Sequence, residues 1–114
     1  MLDPVTLLPK TLHLLPAEHV LLQRLLARHL PGVGVLAFGS RVVDWPGSRG
    51  IKPHSDLDLA VTGRPADLTL AALRADLEDS DLPWRVDVCL LDELPVPLRR
   101  LIARHGVTLR PLIA

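Results

Sequence analysis

The chain has 114 residues, 48% of them apolar, and its 13 basic and 13 acidic side chains cancel to a formal net charge of zero. That length suits one small domain with a single core, and the charge balance argues against the broad basic face of a non-specific nucleic-acid binder. A lone cysteine, Cys89, excludes an intramolecular disulfide framework, and no apolar run approaches the ~18 residues of a membrane span.

Disorder is excluded by a mean hydropathy of +0.29 and a leucine-rich composition. Met1 to His13 carries Asp3, Pro4 and Pro9 and does not read as a signal peptide. A cytoplasmic, single-domain protein is expected, with no membrane partner and no direct nucleic-acid contact.

Residues 1–15 have no clean period and read as an N-terminal arm, either irregular or a short helix packed on the body or a neighbour, leaving 16–114 as the domain. Pro16 suits a first helical turn, and Ala17 to Leu30 repeats apolar positions at 21, 22, 25, 26 and 30. Its acid comes early and its base late, as the helix dipole prefers, and Pro31-Gly32 ends it. Val33 to Phe38 reads as a buried strand. Residues 41–55 hold Pro46, Gly47, Gly50 and Pro53 and are too broken for a regular element. Leu57 to Thr62 is a second strand, Ala66 to Glu78 a helix, Asp79 to Pro83 a turn and Arg85 to Leu91 a third strand. Val96 to His105 closes as a helix with Gly106 as its C-terminal cap, and Val107 to Arg110 adds an edge strand. Strands alternating with helices predict an α/β or α+β sheet layered with helices.

The chemistry concentrates on acids. Strand side chains alternate faces, so Asp56 and Asp58 point one way while Leu57, Leu59 and Val61 face the core. In the third strand Val86, Val88 and Leu90 point one way and Asp87, Cys89 and Leu91 the other. An aspartate within an apolar strand is costly unless its charge is compensated. If the two strands are neighbours, Asp87 lies beside the Asp56/Asp58 pair, and a divalent cation with hard oxygen ligands, Mg²⁺ or Mn²⁺, resolves the repulsion. Taken singly, Asp-x-Asp most often marks a strand edge or turn, and Asp87 a solvent-facing position. Phe38-Gly39-Ser40-Arg41 follows the first strand. Gly39 permits close backbone approach, Ser40 offers a hydroxyl and an amide, and Arg41 a cation, a set suited to an anionic phosphate. Taken alone it is an ordinary strand-to-turn Gly-Ser. Together the parts are far more specific than any one of them.

Three runs carry a family resemblance: Val35-Leu36-Ala37-Phe38-Gly39-Ser40-Arg41-Val42, Ser55-Asp56-Leu57-Asp58-Leu59-Ala60-Val61, and Ser80-Asp81-Leu82-Pro83-Trp84-Arg85-Val86-Asp87-Val88. The chain resembles the minimal nucleotidyltransferases of the DNA polymerase β-like superfamily, many of which are MNT antitoxins encoded beside HEPN toxins. The resemblance covers roughly residues 17–110 and implies a small mixed β-sheet flanked by helices. It assigns triphosphate binding to Gly39 and Ser40, with Arg41 beside them. It also assigns two Mg²⁺ ions to Asp56 and Asp58, and to Asp87 a share of the metal together with deprotonation of the attacking hydroxyl. Two metals about 3.5–4 Å apart can stabilise both the attacking and the leaving oxygen of an in-line displacement. The implied reaction takes AMP from ATP to a hydroxyl, a tyrosine in known systems, on a HEPN-family toxin in a hetero-oligomer. The chain contains no tyrosine, so a tyrosine acceptor must lie in trans.

Two departures stand out. The link from Val42 to Ser55 is longer than usual in the family, and Pro46 would stop the short helix that normally follows Gly-Ser. It reads either as a surface bulge or as a segment whose Trp45, Arg49, Lys52 or His54 meets nucleotide or partner. Cys89-Leu90-Leu91 replaces more polar residues, and Cys89 reads as a core or near-site thiol without a nucleophile's motif. The five histidines lack metal-ligand spacing; His29 and His105 sit near helix C-termini, and Arg99, Arg100 and Arg104 are expected on a solvated face. Competing functions are a non-catalytic antitoxin that masks its toxin, and a transferase acting on a small molecule such as an aminoglycoside. An unrelated Asp-x-Asp hydrolase or glycosyltransferase lacks its other motifs.

Overall fold

The computed structural model describes residues 12–48 and 54–110. Helix α1 (Pro16–His29) is followed by strand β1 (Val35–Phe38), strand β2 (Leu57–Val61) and helix α2 (Asp67–Asp79). Strand β3 (Val86–Leu90), a single 3-10 turn (Leu91–Glu93), helix α3 (Val96–His105) and strand β4 (Val107–Arg110) complete the order. The elements are those expected, with boundaries moved by one or two residues.

The sheet order is β3-β2-β1-β4. β1 runs antiparallel to both β2 and β4, whereas β2 and β3 are parallel. Parallel neighbours need a long crossover, and α2 supplies it. The sheet is therefore mixed and the fold α+β.

Alternation decides which side chains the helices cover. Leu57, Leu59 and Val61 of β2 join Val35 and Ala37 of β1 and Val88 of β3 in one buried cluster. Leu22, Leu25 and Leu26 of α1 and Leu70, Leu73 and Leu77 of α2 close over it, at the helical spacing that puts them on one stripe. The strict alternation expected for β2 fails at Ala60, which is also fully buried. A methyl side chain in a central strand is covered by its neighbours, Leu36 and Cys89 in register, whichever face it takes.

Polar ties set the helices against each other and the sheet. Glu18 Oε1 accepts the Leu15 N–H at 2.8 Å and satisfies one free donor at the start of α1. His29, expected only as a bland residue near a helix end, bonds Asp76 of α2 through Nε2 at 2.5 Å. That bond, with Arg28 beside it, holds the Asp76 carboxyl below its ordinary range. Gln23 Nε2 donates to Leu109 O at 2.8 Å and ties α1 to β4.

The expected arm over 1–15 lies mostly outside the described residues. Its end belongs to the body, since Leu12 and Leu14 are buried and Leu12 forms a bridge to Val42. Gly106 does cap α3, but through close approach and not a left-handed turn. A Cβ there would stand 2.6 Å from Ile102 O and 3.3 Å from Ala37 O. Arg100 and Arg104 are exposed as expected, while Arg99 is half-buried, and its Nε has no hydrogen-bond partner among the described residues.

Leu59 is fully buried at the centre of the sheet. Leu59→Ala is expected to lower stability by about 2–5 kcal/mol, read as a reduced urea midpoint with little change in slope. A loss below about 1 kcal/mol would contradict the core described above.

Candidate active site

The site assembles where β1, β2 and β3 end or begin side by side. Phe38 pairs with Asp58 across the antiparallel β1–β2 ladder, so Gly39, the next residue, arrives next to that aspartate. Gly39 has φ +83°, and a Cβ on it would lie 2.5 Å from Asp58 Oδ2. Any side chain here would collide with the carboxylate and strain the backbone, so the glycine is required twice over. Val42 N–H donates to Gly39 O at 3.0 Å and closes a tight turn that holds Ser40.

Across the parallel ladder Asp58 stands opposite Asp87. Asp56 immediately precedes β2 and is half-buried. Burial first, then the charges of Asp87 and Asp56, push the Asp58 carboxyl up from 3.8 to about 6. Asp87 also pairs with Arg85, Oδ1 to Nε at 3.0 Å, but Arg85 is largely and Asp87 about half exposed, so that ion pair is weak and easily exchanged.

The donor set is made of hard carboxylate oxygens whose mutual repulsion a divalent cation would relieve, and it fits Mg²⁺. Among the described residues no three such side chains close into a metal cage by themselves. Mg²⁺ does not demand one, since it commonly takes one or two carboxylates and completes its octahedron with water and phosphate oxygens.

Arg41, expected beside the phosphate-binding pair, is enclosed by the fold. Its side chain is 4% exposed; Nε donates to Ser55 O at 2.7 Å and Nη1 to His13 O at 2.8 Å. The Trp84 ring lies 4.3 Å from its Cζ. Burial lowers its pKa, opposed by the charges of Glu18 and Asp56, and it stays a cation. Its Nε, Nη1 and planar face are thus all engaged by the fold. Arginine so close to Gly-Ser looks like an anion ligand in one dimension; no local cue shows that three separate segments enclose it.

The long link also resolves in part. Successive turns replace a helix, with Trp45 N–H donating to Val42 O and Ser48 N–H to Trp45 O. Trp45 folds back against Phe38 and edge-on against His105, each with ring centroids 6.3 Å apart. Arg49 and Lys52 lie outside the described residues, and His54 is exposed. Cys89 Sγ donates to Leu59 O at 3.3 Å, and burial with the nearby Asp58 raises its pKa, which suits a packed thiol and not a nucleophile.

Beyond Asp87, a cleft of about 870 Å³ opens between α2 and the free side of β3. Arg74 and Glu78 line one wall, and Leu82, Trp84 and Asp87 the other. Arg74 Nη2 donates to Val88 O at 2.8 Å and covers part of that strand edge. This cleft has no counterpart in the motifs, because α2 and β3 meet only in the folded chain.

No protein-family model matches the chain. A curated relative, described as a probable protein adenylyltransferase MntA of Haemophilus influenzae, is 40% identical over 73 residues. That match covers 62% of this chain and 60% of the relative. A crystal structure of the toxin–antitoxin pair MntA–HpeT, in a mutant form, shares the fold with a TM-score of 0.60 at 20% identity. It spans 81% of this chain and 72% of that one. The sequence relative is in line with the resemblance to the minimal nucleotidyltransferases, and the solved structure shows a shared fold.

The raised carboxyl of Asp58 has a measurable consequence. A group protonated more readily in the folded state favours folding below its ordinary value, and that contribution is lost as pH rises through about 6. Asp58→Asn is therefore expected to stabilise the metal-free protein at pH 7.5 by about 1–2 kcal/mol, after allowing for screening at a half-buried site. The gain should shrink toward zero by pH 4. Melting temperatures across that range check it, and a gain independent of pH would contradict a carboxyl raised by burial and neighbouring charge.

Proposed function

We propose that this chain is a Mg²⁺-dependent nucleotidyltransferase antitoxin, which transfers AMP from ATP to a hydroxyl of a HEPN-family toxin and so neutralises it. The single observation that carries the reading is the meeting of Gly39, directly after β1, with Asp58 of β2 and, in register beside it, Asp87 of β3, so that a carboxylate lies against a residue without a side chain. Like charges are gathered where an anion could also approach, which is an unfavourable arrangement for stability and a useful one for phosphoryl chemistry. The relative described as an adenylyltransferase and the toxin–antitoxin structure support the same class.

In this reading Gly39 and Ser40 receive the triphosphate through main-chain and hydroxyl groups. Asp56, Asp58 and Asp87 would hold Mg²⁺, which when bound would supply charge neutralisation for the attacking and leaving oxygens. Asp87, the acid at the cleft, takes the proton of the acceptor hydroxyl. A new P–O bond forms to the α-phosphorus, the α–β anhydride bond breaks, and pyrophosphate leaves. The protein's share is positioning and electrostatics. Since these 114 residues include no tyrosine, a tyrosine acceptor lies outside them.

The test is to incubate the protein with its purified co-encoded partner, Mg²⁺ and each labelled nucleoside triphosphate. Label from ATP on the partner is expected, falling at least about a hundredfold in Asp56→Asn/Asp58→Asn and disappearing with chelator. Full neutralisation of the partner by the double variant without any label would overturn transfer in favour of masking. Label on an aminoglycoside but not on the partner would favour the small-molecule reading.

A further inference from the structure

The buried guanidinium of Arg41 touches every segment that carries part of the site. Arg41 belongs to the turn begun by Gly39 and Ser40, and its own carbonyl accepts the His13 N–H at 2.8 Å. Its Nε reaches Ser55 O, fourteen residues further on and directly before Asp56. Its flat face lies on Trp84, in the turn three residues before Asp87. Leu57 N–H donates to Arg85 O at 2.9 Å, so the starts of β2 and β3 are joined at the same level. Among its described residues the link between Arg41 and Ser55 holds turns and the Val42 bridge to Leu12, with no helix or strand.

We propose that Arg41 is a positioning residue, whose guanidinium holds the Gly39–Ser40 turn, the approach to Asp56 and the Trp84 turn before Asp87 in one fixed arrangement. The fork of donors binds two carbonyls in different segments while the planar face stacks on an indole. A lysine ammonium carries the same charge but lacks both the fork and the face. Its consequence for catalysis rests on the transferase reading; its consequence for local order does not.

The experiment compares Arg41→Lys, Trp84→Leu and Trp84→Phe in the full chain by amide hydrogen exchange and by kinetics. In the nucleotide-free protein, Arg41→Lys and Trp84→Leu are expected to speed exchange at residues 55–58 and 84–87 by about tenfold or more, with the core amides of α1 unchanged. Trp84→Phe, which keeps an aromatic face under the cation, should restore most of that protection. In the transfer assay Arg41→Lys should lower kcat by about a hundredfold while the KM for ATP stays within about threefold. Unchanged exchange in both segments, or a raised KM for ATP at constant kcat, would overturn the inference. Uniform loss of protection across the whole chain would overturn it too, reducing Arg41 to a general stabiliser. If the wild type labels no acceptor, the transferase reading fails and the exchange data alone decide the role of Arg41.

Discussion

The parallel pairing of β2 with β3 is the constraint from which the rest of the site follows. It sets Asp58 opposite Asp87 on adjacent strands, with Asp56 close enough to add its charge. In an antiparallel pair a short hairpin would suffice; the parallel arrangement demands the crossover through α2. That helix then contributes the leucine stripe of the core and one wall of the cleft beyond Asp87. A single topological choice thus gathers the acids, covers the sheet and leaves a way in.

Gathering carboxylates works against folding, and the opposing terms are visible. Leu57, Leu59 and Val61 alternate with the acids and are fully buried on the other face, so β2 is held by apolar contact while its polar face carries the charge. Gly39 brings backbone to Asp58 at a distance no other residue permits. The Arg85–Asp87 pair, with Arg85 exposed and Asp87 half-buried, contributes little. Burial first, and the charges of Asp87 and Asp56 after it, accordingly push the Asp58 carboxyl up from 3.8 to about 6. An arrangement that carries such a penalty is more readily explained by chemistry than by stability.

Two cations illustrate how position decides role. Arg85 is exposed and its contact with Asp87 can be exchanged for another. Arg41, nearer the phosphate-like motif in sequence, is buried and spent on carbonyls and an indole. Trp45 shows the same shift: an aromatic from an irregular link turns out to rest on Phe38 and His105. The long link is therefore anchored at both of its described ends, by Val42 in the core and by Ser55 through Arg41.

Periodicity in the sequence was enough to determine the elements, because leucines at helical spacing and alternating acids in apolar strands are local patterns that burial enforces. The motif order, Gly-Ser then Asp-x-Asp then a third Asp, likewise determined which residues to group as a candidate site. Local patterns carry no information on which strand lies beside which, nor on what encloses a side chain drawn from three distant segments. Hence only the tertiary structure decided that Asp58 faces Asp87, that Ala60 is buried on the acidic face, that His29 pins α1 to Asp76 of α2, and that Arg41 is interior. Each depends on contacts between residues far apart in the chain, whose free energy comes from packing and charge in three dimensions and leaves no period to read.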